Sequence, residues 1–155
     1  YQSLGYDSLI LDFSEIPFKE IGTPQEAFER AKALILARLK GVELAAYDDV
    51  VFISKSFGTV CAGWLEGFLG LRPRQLYLTP LAQTLAFVKP SSRVIGMVVG
   101  TRDKYMDSQV LSAFCAERHI PCLVFDGVGH RLKADGDTEK TDTINAGILA
   151  LCSGR

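Results

Sequence analysis

Five short, continuous apolar runs constrain the fold of this chain more than any other feature. They are Leu9–Leu11, Val50–Ile53, Leu76–Leu78, Val94–Val99 and Cys122–Phe125. Polar residues do not alternate with apolar ones inside these runs, which is typical of strands buried on both faces of a parallel sheet. The segments between them have helical spacing. The pattern therefore predicts an α/β fold, a doubly wound and mostly parallel sheet with helices on both faces.

Four segments have the spacing of amphipathic helices. The first begins at Thr23-Pro24-Gln25-Glu26, a capping-box sequence with proline at the first helical position. The second follows Gly58, the third covers 107–118, and the fourth begins near Thr141 or Asp142. The apolar positions expected to face inward are, helix by helix, Phe28, Ala31, Ile35 and Leu39; Val60, Trp64, Leu65 and Phe68; Val110, Leu111 and Phe114; and Ile144, Ile148, Leu149 and Cys152.

The size and charge of the chain narrow the classes of function. Its 155 residues, 48% hydrophobic and 23% charged, are typical of one globular domain, so we expect a single domain over residues 1–155. A net charge of −1 gives no electrostatic reason to expect binding to nucleic acid or to an anionic membrane. No apolar run approaches the length that spans a bilayer. The oligomeric state stays open.

The cysteines carry no sign of a metal site. Cys61, Cys115, Cys122 and Cys152 form no C-x-x-C pair, and no histidine lies at zinc-ligand spacing from them. Small apolar thiols in a reducing compartment explain such cysteines best, although two disulfides are an alternative. We therefore expect a cytoplasmic protein without a bound metal.

The stretch Ser54-Lys55-Ser56-Phe57-Gly58 has the form small-x-Ser-x-small between a predicted strand and a predicted helix. A serine on such a tight turn has a strained backbone, and the small residues let strand and helix approach each other. The first small position is usually glycine and is a serine here. An ordinary turn in which Ser56 caps the helix is an equally good interpretation of the stretch alone.

Two other strand ends carry side chains suited to acid–base chemistry, at the edge where open α/β sheets bind their ligands. Asp103 follows the fourth apolar run and could orient a base, or it could be a turn or cap residue, with Asp107 as its nearest competitor. His130 follows the fifth run in a glycine-flanked loop. The second histidine, His119, lies at a helix end where we expect a solvated cap.

Ser56, Asp103 and His130 come in that order from three separate strand ends, and this order is typical of one triad-bearing fold. With "SKSFGT", "GTRD" and "GVGH" at these positions, the chain resembles a small, capless member of the α/β-hydrolase superfamily. The resemblance implies Ser56 as nucleophile, His130 as base and Asp103 as acid, with the backbone N–H of Phe57 donating to the oxyanion. It implies hydrolysis of a small or exposed carboxylic ester or thioester without a cofactor.

The resemblance also bears on the pocket. Many members of the superfamily carry a lid domain at the point where this chain has only Thr79 to Arg93, which is too short for one. We therefore expect an open, shallow pocket lined by Leu81, Leu85 and Phe87. Lys55, beside the nucleophile, could attract an acidic substrate, but a solvated side chain is the simpler expectation.

Two functions of other classes remain open at this stage. The chain could be a hydrolase-fold binding protein whose triad is silent. It could also hold a phosphate where the helix begins at Ser56-Phe57-Gly58. The sequence contains neither G-x-G-x-x-G nor G-x-x-x-x-G-K-[ST], so the phosphate hypothesis has less support.

One strand of the superfamily has no counterpart in the sequence. It precedes the Leu9–Leu11 strand, lies between that strand and the nucleophile strand, and its loop supplies a second oxyanion donor. The lead-in from Tyr1 to Asp7 is polar and cannot be this strand. We therefore expect a further strand upstream in the natural protein. The alternative is that the strands at Leu9 and Val50 pair directly, leaving Phe57 as the single donor.

Overall fold

The helices and strands follow one another in strict alternation over most of the chain. The structure is a computed structural model that describes residues 5–18, 20–134 and 136–153. The elements are α1 (Pro24–Leu39), a 3₁₀-helix (Leu44–Ala46), β1 (Val51–Lys55), α2 (Phe57–Leu69), β2 (Arg74–Leu78), a 3₁₀-helix (Ala82–Phe87), β3 (Arg93–Gly100), α3 (Ser108–Glu117), β4 (Cys122–Phe125) and α4 (Thr138–Ser153).

The four strands form one parallel sheet in the order β1-β2-β3-β4. At its carboxyl edge, Lys55 pairs with Leu78, and Leu78 pairs with Val98. Gly100 at the end of β3 pairs with Phe125 at the end of β4. All four strands therefore end at the same edge, where the loops that follow them come together.

Helices cover both faces of this sheet. Side chains alternate between the two faces along a strand, and neighbouring strand residues fall into different apolar clusters. Tyr77 and Met97 pack with residues of α2 and α3, whereas Leu76 and Val98 pack with Ile144 of α4. Helices α2 and α3 thus lie on one face and α4 on the other. The predicted fold class, a doubly wound and mostly parallel α/β sheet, is confirmed.

The prediction of a strand at Leu9–Leu11 is wrong. These residues are in irregular structure, and Leu9 and Ile10 are 50% and 81% exposed. The Asp12 carboxylate that follows the run accepts hydrogen bonds from the amide and the hydroxyl of Ser14, which favours a turn. Because no strand forms there, the strands predicted at Leu9 and Val50 do not pair directly, and the further upstream strand stays a prediction. Among the described residues, β1 is hydrogen-bonded to β2 alone.

Three apolar residues assigned to inner helix faces are more than half exposed: Phe68, Val110 and Leu149. Val110 and Leu149 each stand next to a residue that packs against the sheet, Leu111 and Ile148. Neighbouring residues on a helix are about 100° apart, so only one of each pair can face the sheet. Phe68 instead stacks on Trp64, with ring centroids 5.1 Å apart.

Helix α4 begins at Thr138, earlier than the predicted Thr141 or Asp142. The Asp137 carboxylate accepts a hydrogen bond from the amide of Lys140, which satisfies a backbone donor in the first turn. The charged, glycine-containing stretch from Lys133 to Lys140, whose composition predicts a surface loop, therefore ends in the first turn of a helix. None of the helices in the described ranges is long and apolar enough to cross a membrane.

The chain divides into two units, Tyr1–Glu43 and Leu44–Arg155. The first unit contains α1, whose N-cap Thr23 accepts a hydrogen bond from the amide of Glu26 at 3.2 Å, as the capping sequence predicts. Ala31 and Ile35 of α1 are fully buried. The second unit contains the whole sheet. The single domain predicted over residues 1–155 stays a prediction.

Candidate active site

Ser56 occupies a strained turn between β1 and α2. Its φ of 52° and ψ of −125° lie in a region that residues with a Cβ rarely adopt. The amide of Ser56 donates to the carbonyl of Leu78 at 3.0 Å, which ties the turn to β2. Ser56 holds the N-cap position of α2, but its side chain makes no capping hydrogen bond. The hydroxyl is therefore available for a partner outside the helix.

That partner is His130, which also contacts Asp103. The Ser56 Oγ lies 2.7 Å from His130 Nε2, and His130 Nδ1 lies 2.8 Å and 3.0 Å from the two carboxylate oxygens of Asp103. The Asp103 side chain is fully buried, while the imidazole is 22% exposed. A carboxylate only accepts hydrogen bonds, so Nδ1 carries the proton and Nε2 of the neutral ring accepts from the Ser56 hydroxyl.

Asp103 is held by backbone contacts of its own loop. Its amide donates to the carbonyl of Gly100 at 3.0 Å, and its Oδ1 accepts from the amide of Tyr105 at 2.9 Å. The competing acid, Asp107, is the N-cap of α3 and accepts from the amides of Gln109 and Val110. The structure thus brings Asp103, and not Asp107, to the imidazole.

His130 projects from a loop that is anchored on both sides. Val128 and Leu132, two residues before and after it, are buried in the cluster under α4. The carbonyl of Val128 accepts from the amide of Arg102 at 2.9 Å, which joins this loop to the loop after β3. Gly100 allows the approach, since a Cβ there would lie 2.0 Å from the Val128 carbonyl oxygen.

The predicted oxyanion donor and pocket residues lie on two neighbouring segments. Phe57 is the first residue of α2, where backbone N–H groups point outward with the positive end of the helix dipole. Leu81 precedes the 3₁₀-helix Ala82–Phe87, Leu85 packs against the cluster under α2 and α3, and Phe87 lies against Gly63 of α2.

An open, polar cavity of about 560 Å³ lies beside Asp103, on the α3 side of the site. It is lined by Thr101, Asp103, Lys104, Asp107, Ser108 and Gln109. Leu81, Leu85 and Phe87 are not part of its lining. The described residues include no group of three His, Cys, Asp or Glu side chains that could hold a metal ion, and the four cysteines form no disulfide.

Two residues beside the candidate triad make contacts that the sequence did not predict. Tyr105 is largely exposed and packs edge-on against the His130 ring, with centroids 4.6 Å apart. The ammonium group of Lys55 donates to the carbonyl of Arg131 at 2.8 Å, so it links β1 to the loop that carries His130 and is not simply solvated, contrary to the expectation from the sequence. Burial, with a smaller contribution from the nearby charge of Lys133, lowers the Lys55 pKa. In the sequence, only the closeness of Lys55 to Ser56 and of Tyr105 to Asp103 indicates that these residues belong to the site.

No protein-family model matches the sequence, and no curated protein matches it. Solved structures do resemble it. A candidate hydrolase of the alpha/beta superfamily from Xanthomonas campestris pv. campestris aligns over 99% of this chain and 85% of its own, at 16% identity and a TM-score of 0.65. An alpha-beta serine hydrolase homologue from Coxiella burnetii aligns over 79% of this chain and 57% of its own, at 15% identity and a TM-score of 0.54. A candidate hydrolase from Agrobacterium vitis S4 aligns over 84% and 69%, at 14% identity and a TM-score of 0.50.

These likenesses differ in extent. The chain spans most of the Xanthomonas protein but less than two thirds of the Coxiella protein. At such identities they bear on the fold alone. Together with the parallel sheet and its two helical layers, they establish that this chain has an α/β-hydrolase fold.

Proposed function

We propose that this protein is a serine hydrolase that cleaves a small or exposed carboxylic ester or thioester through an acyl-enzyme on Ser56. One observation carries the proposal: the hydrogen-bonded chain from the Ser56 hydroxyl through both nitrogens of His130 to the buried carboxylate of Asp103. A nucleophile, a base and a group that orients the base are the parts that acyl transfer by serine requires.

The contacts of the three side chains suggest how the reaction proceeds. As Ser56 Oγ attacks the carbonyl carbon of the substrate, its proton passes to His130 Nε2, and Asp103 stabilises the imidazolium. The oxyanion accepts a hydrogen bond from the N–H of Phe57. Collapse of the intermediate expels an alcohol or thiol, which takes the proton from Nε2. Water then attacks the acyl-enzyme by the same route and releases the acid.

The connection between β2 and β3 supports a small or exposed substrate. Between Thr79 and Arg93 the chain forms one six-residue 3₁₀-helix, Ala82–Phe87, as the short spacing predicts. No lid is inserted at this point of the described chain. We expect the rate on a soluble short-chain ester to rise smoothly with concentration, without a jump when the substrate forms micelles.

The alternative is a binding protein of this fold whose triad is silent. This alternative is supported by the number of oxyanion donors, because among the described residues the N–H of Phe57 is the single donor assigned to the oxyanion. Losing one oxyanion donor costs an acyl-transfer enzyme roughly 100-fold to 1,000-fold in kcat. A site with one donor could therefore react slowly or not at all.

Labelling with a fluorophosphonate distinguishes the serine hydrolase from the binding protein with a silent triad. The reagent reacts with an activated serine, whatever the natural substrate is. We expect one label per chain, lost in Ser56→Ala together with hydrolysis of p-nitrophenyl acetate. The matched control is Ser54→Ala, because Ser54 lies two residues away and its hydroxyl donates to the carbonyl of Leu76 at 3.5 Å. A folded parent protein that takes no label, or a Ser56→Ala variant that hydrolyses the ester at the parent rate, would contradict the proposal.

A further inference from the structure

Two buried threonines connect Ser56 to a distant segment of the chain. The Thr59 hydroxyl lies 2.6 Å from the carbonyl oxygen of Ser56 and 2.6 Å from the hydroxyl of Thr84. Thr59 is in the first turn of α2, and Thr84 is in the 3₁₀-helix Ala82–Phe87 that follows β2. Both threonines are fully buried. Their contacts are thus shielded from competing water.

The direction of these hydrogen bonds follows from their chemistry. A carbonyl oxygen can only accept, so the single hydroxyl proton of Thr59 is donated to the oxygen of Ser56. The short contact between the two threonines then requires Thr84 to donate to Thr59. The result is a one-way chain from Thr84 through Thr59 to the Ser56 carbonyl, which we call the threonine relay. Hydrogen bonds in such a chain polarise one another and are strengthened by it.

The relay ends on the peptide group that carries the oxyanion donor. The carbonyl of Ser56 and the N–H of Phe57 belong to the same planar peptide unit. That carbonyl accepts both the Thr59 hydroxyl and the Thr59 amide, at 2.6 Å and 2.9 Å. Accepting hydrogen bonds at the oxygen fixes the peptide plane and makes its N–H a stronger donor. Because the φ of Ser56 is strained, at 52°, the Ser56–Phe57 peptide needs hydrogen bonds from other residues to keep its orientation.

We propose that Thr84, acting through Thr59, is a positioning residue that orients and polarises the Ser56–Phe57 peptide as the oxyanion donor. This inference rests on the proposed serine hydrolase function and deepens it. The relay also explains how a site with one assigned donor can be active, because that donor is held by buried hydrogen bonds. It further ties the segment that bears Leu81 and Leu85 to the nucleophile turn.

Valine and serine variants test the relay. Thr59→Val removes the donor to Ser56, and we expect kcat for p-nitrophenyl acetate to fall about tenfold or more at nearly unchanged KM, a fraction of the loss of a whole oxyanion donor. Thr84→Val should lower kcat by a smaller factor, and Thr84→Ser, which keeps the hydroxyl, should restore it. The matched control is Thr143→Val. Thr143 also donates to a helix carbonyl, that of Glu139, but on the exposed face of α4.

The double variant Thr59→Val with Thr84→Val separates positioning from mere stability. Thr59→Val alone leaves the buried Thr84 hydroxyl without its acceptor, whereas removing both hydroxyls leaves neither unpaired. We therefore expect the double variant to melt at a higher temperature than Thr59→Val while its kcat stays as low. If kcat recovers along with the melting temperature, Thr59 and Thr84 are only structural and the proposal is wrong.

An NMR measurement tests the relay independently of turnover. The amide nitrogen and proton shifts of Phe57 report on hydrogen bonds to its own peptide group, and exchange of the Ser56 amide reports on opening of the turn. Both should change in Thr59→Val and in Thr84→Val, and stay as in the parent in Thr84→Ser and Thr143→Val. Unchanged Phe57 shifts in both valine variants would overturn the relay even in an active enzyme. A parent that takes no fluorophosphonate label would instead refute the proposed function, and the Phe57 shifts would still decide on the relay.

Discussion

At the scale of single residues, the buried carboxylate of Asp103 decides which form of His130 is present. Both of its oxygens lie within 3.0 Å of His130 Nδ1, and Oδ1 also accepts from the amide of Tyr105. With the proton on Nδ1, the unprotonated Nε2 faces the Ser56 hydroxyl at 2.7 Å. In the proposed mechanism, this is the tautomer whose imidazole takes the proton of Ser56.

Asp103→Asn should remove the preference for the His130 tautomer with its proton on Nδ1, without changing the shape of the side chain at position 103. An amide NH₂ can donate to Nδ1 and so favour the tautomer with its proton on Nε2, which cannot accept from Ser56. We expect kcat for p-nitrophenyl acetate to fall by a factor of about 10⁴. The control is Asp107→Asn, since asparagine caps a helix as well as aspartate does. Equal rates in the two variants would show that Asp103 is not the orienting acid.

The sequence carried different amounts of information about different residues of the site. Ser56, Asp103 and His130 could be assigned because each follows an apolar run, and parallel strands end at one edge of a sheet. Thr59 and Thr84 could not be paired, because they are 25 residues apart and belong to no recognised motif. Their contact depends on how α2 packs against the segment after β2, which periodicity does not encode.

At the scale of elements, the loops after β3 and β4 act as one unit. The Thr101 hydroxyl donates to the carboxylate of Asp126 at 3.0 Å and accepts from the amide of Gly127 at 2.8 Å. The amide of Arg102 donates to the carbonyl of Val128. One loop carries Asp103 and the other carries His130, so these cross-loop hydrogen bonds set the distance between the two side chains.

Gly100→Ala should disturb both loops together. The added Cβ would lie 2.0 Å from the carbonyl oxygen of Val128, which is backbone and cannot move alone. We expect the free energy of unfolding to fall by about 1–3 kcal/mol and fluorophosphonate labelling to slow at temperatures where the protein stays folded. Gly67→Ala is the control, because there the Cβ meets only the flexible end of Lys89, at 3.4 Å. Parent-like labelling by Gly100→Ala would mean that the loops can adjust separately.

The sequence predicted the elements well where the local pattern alone decides them. The apolar runs within 50–125 became the four strands, with end positions shifted by at most two residues. The run at Leu9–Leu11 has the same length as Leu76–Leu78 yet forms no strand. The difference is tertiary, because β2 lies between β1 and β3 in the sheet, while Ile10 is largely exposed. The length of an apolar run cannot reveal which strands will find partners.

At the scale of the whole sheet, the proposed catalytic residues and a buried polar network lie at opposite ends of the strands. Ser56, Asp103 and His130 follow strands at the carboxyl edge, whereas the amino end of β2 carries the polar network. Gln75 donates to the carboxylate of Glu66 at 2.9 Å and accepts from the hydroxyl of Tyr77 at 2.7 Å. The same Glu66 oxygen accepts from Ser92 at 2.8 Å. Burial, together with the nearby charge of Glu66, raises the Tyr77 pKa, so the phenol stays protonated and can donate.

This separation predicts a variant that loses stability but keeps its activity. Gln75→Leu leaves the Glu66 carboxylate short of a donor and the Tyr77 hydroxyl without its acceptor, both in the core. Two such buried groups cost about 3 kcal/mol together, which lowers the melting temperature by roughly 10 °C in a chain of this size. Gln75 lies three residues before the end of β2, about 10 Å from the carboxyl edge. We therefore expect the labelling rate of Ser56, measured well below the melting temperature, to equal that of the parent.

The matched control is Gln25→Leu. Gln25 also donates to a glutamate, Glu29, at 2.8 Å, but on the exposed surface of α1, so its loss should change the free energy of unfolding by less than about 0.5 kcal/mol. Thr59→Val with Thr84→Val is the complementary variant, because it should lower kcat with less effect on melting. If Gln75→Leu slows labelling as much as that double variant does, the two edges of the sheet are coupled. The buried network at Glu66 would then belong to the machinery that shapes the site, and the division of roles between the edges would be wrong.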